Sequence, residues 1–249
     1  MAMSSDETVE VLAVGAHPDD VEIGCGGLLA KLARQGRRVG VLDLTRAELG
    51  TRGTPEERAR EAEKASAALG VAVRMNAGLP DGGVANSTQQ RCVVVPFLRR
   101  FRPRVILTLN SPDRHPDHAA VHELVRDANF MAGLARIETG QPPHRAERMY
   151  YFHPYMDTGG EPDFIIDITE TFDAKLEALR AYASQFFNKN YSGGDTYIAS
   201  EAFWEGIEVR ARYWGGRIGA HCGEAFYADG PIALDMLPGL DPFAAEDTE

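Results

Sequence analysis

The chain has 249 residues, 44% of them hydrophobic, and 26 basic against 37 acidic side chains leave a formal charge of −11. These are globular values, and the length suffices to bury one sizeable core. A surface of that sign repels phosphate backbones and carries no basic stripe with interleaved aromatics, which excludes nucleic acid as an expected partner.

The opening MAMSSDETVE has neither a basic n-region nor an apolar stretch, so no signal peptide is expected. No apolar run approaches the ~20 residues of a membrane span. Cys25, Cys92 and Cys222 are widely spaced and resemble neither a disulfide framework nor a zinc knuckle. The expected setting is the cytoplasm, away from membranes.

In chain order, residues 9–14 form an apolar run suited to a strand buried on both faces. Leu28, Leu29 and Leu32 recur at helical spacing, and Gly36 ends that helix. Residues 38–44 read as a second strand. A third run starts at Thr54, a capping residue, with Pro55 suited to the first helical position and Glu57 placed to complete a capping box; it ends at Leu69 before Gly70. A short strand over residues 71–75 leads to a turn at 79–83. A helix is expected over Thr88–Phe101, ended or kinked at Pro96. Val105–Leu109 is another buried strand, and residues 117–131 another helix.

Beyond residue 146 the pattern loosens: strands at Arg148–Phe152 and 164–168, helices at 169–187 and 200–214, and a glycine-rich stretch at 188–195. No linker marks a second domain, so the chain reads as one domain over residues 1–249, with about 8 N-terminal and about 15 C-terminal residues expected to be loose. Strand followed by helix, repeated, implies an α/β fold with a mostly parallel sheet and right-handed crossovers. In such sheets ligands sit at the carboxyl ends of the strands, near a switch in strand order.

Two polar clusters follow strands in that way. His17-Pro18-Asp19-Asp20 comes directly after the first, and Asp113-Arg114-His115-Pro116-Asp117-His118 lies one short loop after Val105–Leu109. Taken alone, the first reads equally as a turn with a helix-capping aspartate and the second as a polar loop entering a helix. Together they supply two histidines and a carboxylate, enough for a catalytic divalent ion with one open position. Such an ion lowers the pKa of its water to about 7 and polarises a carbonyl. On this count His17, one of Asp19 and Asp20, and one of His115 and His118 bind the ion, and the remaining Asp and His serve as base and acid. Spacing does not apportion those roles. His122, four residues past His118, is expected outside the ligand set. Cys25 is expected to pack beside the close approach at Gly24, Gly26 and Gly27, which lack the dinucleotide-binding register.

Ala16 to Asp20, the glycines that follow, and His115 to His118 resemble the PIG-L/LmbE family of zinc-dependent N-acetylglucosamine deacetylases, over nearly the whole chain. Val21-Glu22-Ile23-Gly24, Asp43-Leu44-Thr45, Arg58, Asp113-Arg114-His115 and Tyr182-Ala183-Ser184-Gln185-Phe186 are similar to the subgroup that removes acetate from N-acetylglucosaminyl malate in bacillithiol biosynthesis. The resemblance implies a Rossmann-like sheet, one Zn2+ per chain (Fe2+ or another divalent ion being alternatives) and a homo-oligomer, in this subgroup a hexamer. It implies His17, Asp20 and His118 as ligands, Asp19 as general base, His115 as acid or oxyanion stabiliser and Asp117 as its orienter. It also implies Arg58 and Arg114 as substrate contacts, suited to a carboxylate of an amino-sugar conjugate. Glu48, Glu56, Glu57, Glu61 and Glu63 read as solvated charges, and Tyr197 or Asn188 as candidates to overlie the pocket. Rival readings are a deacetylase of another N-acetylglucosamine conjugate, a thiol-conjugate amidase, a non-haem iron oxygenase, whose facial triad uses the same ligand types, and a non-catalytic sugar- or metal-binding protein.

Overall fold

The computed structural model describes residues 7–155 and 160–234. Strands β1 (Val11–Gly15), β2 (Val39–Thr45), β3 (Val73–Leu79), β4 (Val105–Leu109) and β5 (Arg148–Phe152) form one parallel sheet in the order β3-β2-β1-β4-β5. Of the three inner strands, β1 and β2 are buried at every position and β4 at all but its first, as their apolar-rich runs require. Helices α1 (Asp20–Arg34), α2 (Pro55–Leu69), α3 (Thr88–Phe101) and α4 (Pro116–Ala132) are the crossovers. Right-handed connections put α1 and α2 on one face and α3 and α4 on the other, and each pair packs together. The chain runs outward from β1 through β2 to β3, then returns to β1's other side for β4. The switch in strand order therefore lies between β1 and β4, and the loops leaving those two strands face one another across it.

Helices α5 (Phe172–Ala181) and α6 (Glu201–Arg217) cover the α1–α2 side around a second apolar cluster that includes Ile23, Ala65, Leu69, Leu179, Phe186 and Ile207. Strands β6 (Phe164–Asp167) and β7 (Gly223–Phe226) make an antiparallel pair, joined to β5 through a bridge between Tyr151 and Tyr227. The sequence pattern had no signal for β7, which is only 4 residues long.

Four local expectations change. Helix α3 continues through Pro96 to Phe101. Strand β3 begins two residues later than expected and extends to Leu79, through a register shift opposite Asp43 and Thr45 in which the Asn76 side chain donates to the Thr45 carbonyl at 2.5 Å. The expected helix over 169–187 is a 3-10 turn, Thr169–Thr171, followed by α5, because Ser184 turns its N–H and hydroxyl onto the Glu61 carboxylate at 2.8 and 2.6 Å. Glu61 is thus buried rather than solvated. At Glu57 the backbone N–H donates to the Thr54 hydroxyl, while its carboxylate accepts from Tyr191. The expectation of loose termini falls mostly on residues 1–6 and 235–249, outside those described.

Helix α1 is broken at Cys25 (φ −141°, ψ 17°). The freed N–H groups of Gly27 and Leu28 are taken by the Glu224 carboxylate of β7, at 2.9 and 2.8 Å, and Lys175 of α5 neutralises it at 2.6 Å. Glycine is required on either side of the break: a Cβ on Gly24 would lie 2.0 Å from the Phe152 ring, and one on Gly27 would lie 2.6 Å from Ile168.

Candidate metal centre and catalytic pocket

Strand β1 delivers the loop from Ala16 to Asp19, pinned where Thr45 donates both its N–H and its hydroxyl to the Ala16 carbonyl. Asp19 sits at φ 120°, a region that side-chain-bearing residues rarely adopt and that costs about 1–3 kcal/mol. That bend separates the two aspartates. Asp20 enters α1 and accepts the His17 N–H at 2.8 Å, whereas Asp19 points the other way, to the Arg58 guanidinium at 2.5 Å. From β4, His115 caps α4 and leaves His118 one turn inside it.

The two loops converge. His17 and His118 have ring centroids 5.4 Å apart, with His115 at 4.7 Å from each. Asp20 lies between His17 and His118: one oxygen is 3.4 Å from His17 Nδ1 and the other 3.2 Å from His118 Nε2. Asp20 Oδ1 and His118 Nε2 are buried and make no hydrogen bond despite that separation. Buried carboxylate and imidazole atoms left without hydrogen bonds beside His17 are donors suited to a cation. His17 presents Nε2 to Asp81 at 3.0 Å and Asp117 at 3.4 Å, whereas His118 Nδ1 lies 3.3 Å from Asp113 without a hydrogen bond. A carboxylate behind a histidine fixes the tautomer that turns a lone pair toward a metal. His17, Asp20 and His118 thus fit a divalent ion.

Among the described residues, two groupings place ligand atoms all within 4.8 Å of one another, and neither includes Asp20: His17 with His115 and His118, and His17 with Asp81 and Asp117. In the second, Asp117 accepts from the N–H groups of Gly82 and Val84 and Asp81 from that of Leu49, so its carboxylates are already engaged.

Burial opposes protonation of both inner histidines, but the surrounding aspartates outweigh it. They raise His118 to about 9 and His17 well above its usual value. The same burial lifts Asp19 to about 7, against the opposing charge of Arg58 and with the help of Asp20. His115 is lowered, by burial and then by its neighbours His118 and His17. Because His115 Nδ1 accepts the Asp117 N–H at 3.2 Å, a neutral ring carries its proton on Nε2. Asp19 and His115 line the same cleft, an open space of about 760 Å³ bounded also by Leu49, Arg58, Asp81 and Tyr155.

Two expected roles shift. The Asp117 carboxylate turns to His17 and to the turn at 82–84; only its backbone N–H meets His115. Arg58, expected to hold substrate, is buried; its Nη2 reaches Asp19 and the Pro18 carbonyl at 2.6 Å, while its Nε has no partner and the residue still lines the cleft. Arg114 stays exposed, its guanidinium over Tyr155 at 5.0 Å and Tyr197 at 4.3 Å, and among the described residues no ion pair to it is found. Tyr197 accordingly reaches the rim, while Asn188 serves a turn through the Asn190 N–H. His122 lies outside the ligand set, its Nδ1 3.2 Å from the Leu109 carbonyl.

Residues that sequence reasoning missed are Asp81, read only as a turn, Asp113 as the partner of His118, Tyr155, whose ring stacks on His118 at 5.2 Å, and Glu48, which accepts the Asp81 N–H at 2.9 Å. The strand-end rule, applied to β3 as well as to β1 and β4, points to Asp81.

The family model for PIG-L, GlcNAc-PI de-N-acetylase, matches residues 12–129, a span that includes both clusters. The crystal structure of the conserved protein TT1542 from Thermus thermophilus superposes with a TM-score of 0.82 at 36% identity, covering 91% of this chain and 97% of that one. The diacetylchitobiose deacetylase of Thermococcus kodakarensis is 29% identical over 84% of this chain and 82% of its own. The 1D-myo-inositol 2-acetamido-2-deoxy-alpha-D-glucopyranoside deacetylase of Kineococcus radiotolerans is 27% identical, over 72% and 70%. A relative so similar along nearly its whole length, and a family pattern that takes in both polar loops, make this chain a member of the PIG-L family of N-deacetylases.

Proposed function

We propose that this protein is a zinc-dependent amidohydrolase that removes the acetyl group from an N-acetylglucosamine conjugate, with N-acetylglucosaminyl malate, on the route to bacillithiol, as the preferred substrate. One observation carries the chemistry. Buried Asp20 Oδ1 and His118 Nε2 are left without hydrogen bonds beside His17, while Asp19 and His115 open onto the same cleft. When bound there, a divalent ion supplies Lewis acidity.

The residues divide the remaining work. Asp19 takes a proton from the attacking water, whose oxygen bonds to the acetyl carbon, and Arg58 holds that carboxylate in place. His115 Nε2–H donates to the carbonyl oxygen as it gains negative charge. The carbon–nitrogen bond then breaks, the proton held by Asp19 passes to the departing amine, and acetate and an amino sugar leave. Arg114 supports an anionic aglycone, since its planar guanidinium is exposed at the rim and steadied by two tyrosines. The named relatives act on diacetylchitobiose and on an inositol glycoside, which are the natural competitors. A homo-oligomer, a hexamer on the family resemblance, and a cytoplasmic setting belong to the same proposal. No helix among the described residues is long and apolar enough to cross a membrane.

Acetate release should be measured on N-acetylglucosaminyl malate, diacetylchitobiose and free N-acetylglucosamine, with bound metal quantified on the same samples. We expect the malate conjugate to give the highest kcat/KM. Asp19→Asn should retain metal and lose turnover, whereas His17→Ala and His118→Ala should lose both. Wild-type acetate release by Asp19→Asn removes it as the base, and a preference for diacetylchitobiose removes the malate assignment.

A further inference from the structure

We infer that Asp81 is a positioning residue that sets the orientation of His17 and ties the lip of the pocket to that ligand. The inference rests on His17 binding metal, as proposed above, but not on the identity of the substrate. Two carboxylates approach His17 Nε2, and they are not equivalent. Asp117 is the farther, at 3.4 Å, and both its oxygens already accept backbone N–H groups, from Gly82 at 2.8 Å and Val84 at 3.2 Å. Asp81 is nearer, at 3.0 Å, and its Oδ1 has His17 as its partner. Asp117 therefore shapes the turn after β3, and Asp81, carried on that turn, receives the imidazole proton. In the neutral ring that bond leaves Nδ1 of His17 unprotonated, on the side of Asp20.

The other Asp81 oxygen accepts the N–H of Leu49 at 2.8 Å, and the Asp81 N–H is held by Glu48 at 2.9 Å. This two-way tie joins the turn to the loop after β2. Leu49 stands 72% exposed at the mouth of the cleft. Through a single carboxylate, the position of that lip and the orientation of a metal ligand are set together. An asparagine at position 81 has one oxygen where the carboxylate has two, so with that oxygen on the Leu49 N–H its amide donates to His17 Nε2 and favours the other tautomer.

The test uses the full chain, with Zn2+ as probe in competition with a chromophoric chelator and the visible spectrum of the Co2+-substituted protein as a report on ligand geometry. Asp81→Asn and Asp81→Ala should weaken Zn2+ binding by about 10–100-fold and alter the Co2+ spectrum. Glu48→Ala, which removes an exposed side chain, should shift affinity in the same direction by severalfold. Thermal melts in chelator control for folding. Melts lowered with Zn2+ affinity unchanged would show a merely structural residue, and a raised KM with affinity and spectrum unchanged would show a substrate contact. Either result overturns the inference, and an unchanged affinity in Glu48→Ala overturns the link to the lip. Wild-type protein that binds no Zn2+ would instead overturn the proposed function itself.

Discussion

Arg58 separates two accounts of the pocket. Sequence reasoning makes it a substrate contact, whereas the structure buries it against Asp19 at 2.5 Å. If its work is electrostatic, replacing it with glutamine must raise the pKa of Asp19. Burial already lifts that carboxyl to about 7, with the Arg58 charge as the largest opposing influence. A cation at this range lowers a carboxylate by about 1–3 units, so the variant's base should titrate about 1–3 units higher, equivalent to ~1.4–4 kcal/mol. The sign follows from which form is active. In the proposed mechanism Asp19 works as the carboxylate, so activity is lost as pH falls through its pKa, and a higher pKa moves that acid limb toward alkaline pH. At pH 7 the carboxylate fraction would fall by roughly 5- to 500-fold across that range, and activity would recover as pH rises. A bound dication lowers both profiles but leaves the difference between them. The assay is kcat/KM for acetate release from pH 5.5 to 10 for wild type, Arg58→Gln and Arg58→Lys, the last expected to restore much of the limb. Superimposable profiles with a raised KM would refute the electrostatic role and return Arg58 to the substrate.

Further outcomes are expected. Protons compete with a cation for His118, raised to about 9, and for His17, so apparent Zn2+ affinity should climb with pH from 6 toward 9, which chelator competition measures; a flat profile contradicts it. Arg114→Ala should raise KM for the malate conjugate roughly 10-fold or more while leaving diacetylchitobiose near its wild-type KM, because only the first offers a carboxylate. Gly24→Ala would set a methyl 2.0 Å from the buried Phe152 ring, and should cost about 3 kcal/mol and lower Tm by about 6–12 °C. Gly206→Ala on α6, with nothing within 4 Å, should leave Tm unchanged or slightly higher.

The inner strands were legible because burial on both faces leaves an unbroken apolar signature, and α2 because Thr54, Pro55 and Gly70 each do at its ends what local chemistry demands. Legibility failed where a long-range partner decides the local structure. The end of α5 depends on Glu61, more than a hundred residues earlier, accepting from Ser184. The break in α1 is stable because Glu224 arrives from β7 to cap it. Neither partner leaves a trace near the element it governs.

The same distinction runs through the site. His17, the Asp19–Asp20 pair, His115 and His118 stood out as candidates because metal ligands of this kind are imidazoles or carboxylates, and the two loops that carry them leave β1 and β4, which the strand order makes neighbours. What holds those ligands is built from residue types that are ordinary in turns and on surfaces. Asp81 in Leu79-Pro80-Asp81-Gly82 looks like turn chemistry, and Glu48 like one more solvated acid, until β3 is known to end beside β2 and their loops are seen to meet. Arg58 is the sharpest case. An arginine in a helix start rich in glutamates has an ordinary explanation in its own segment. Only the bend at Asp19, which turns two adjacent aspartates to opposite sides, creates the buried carboxylate that needs it.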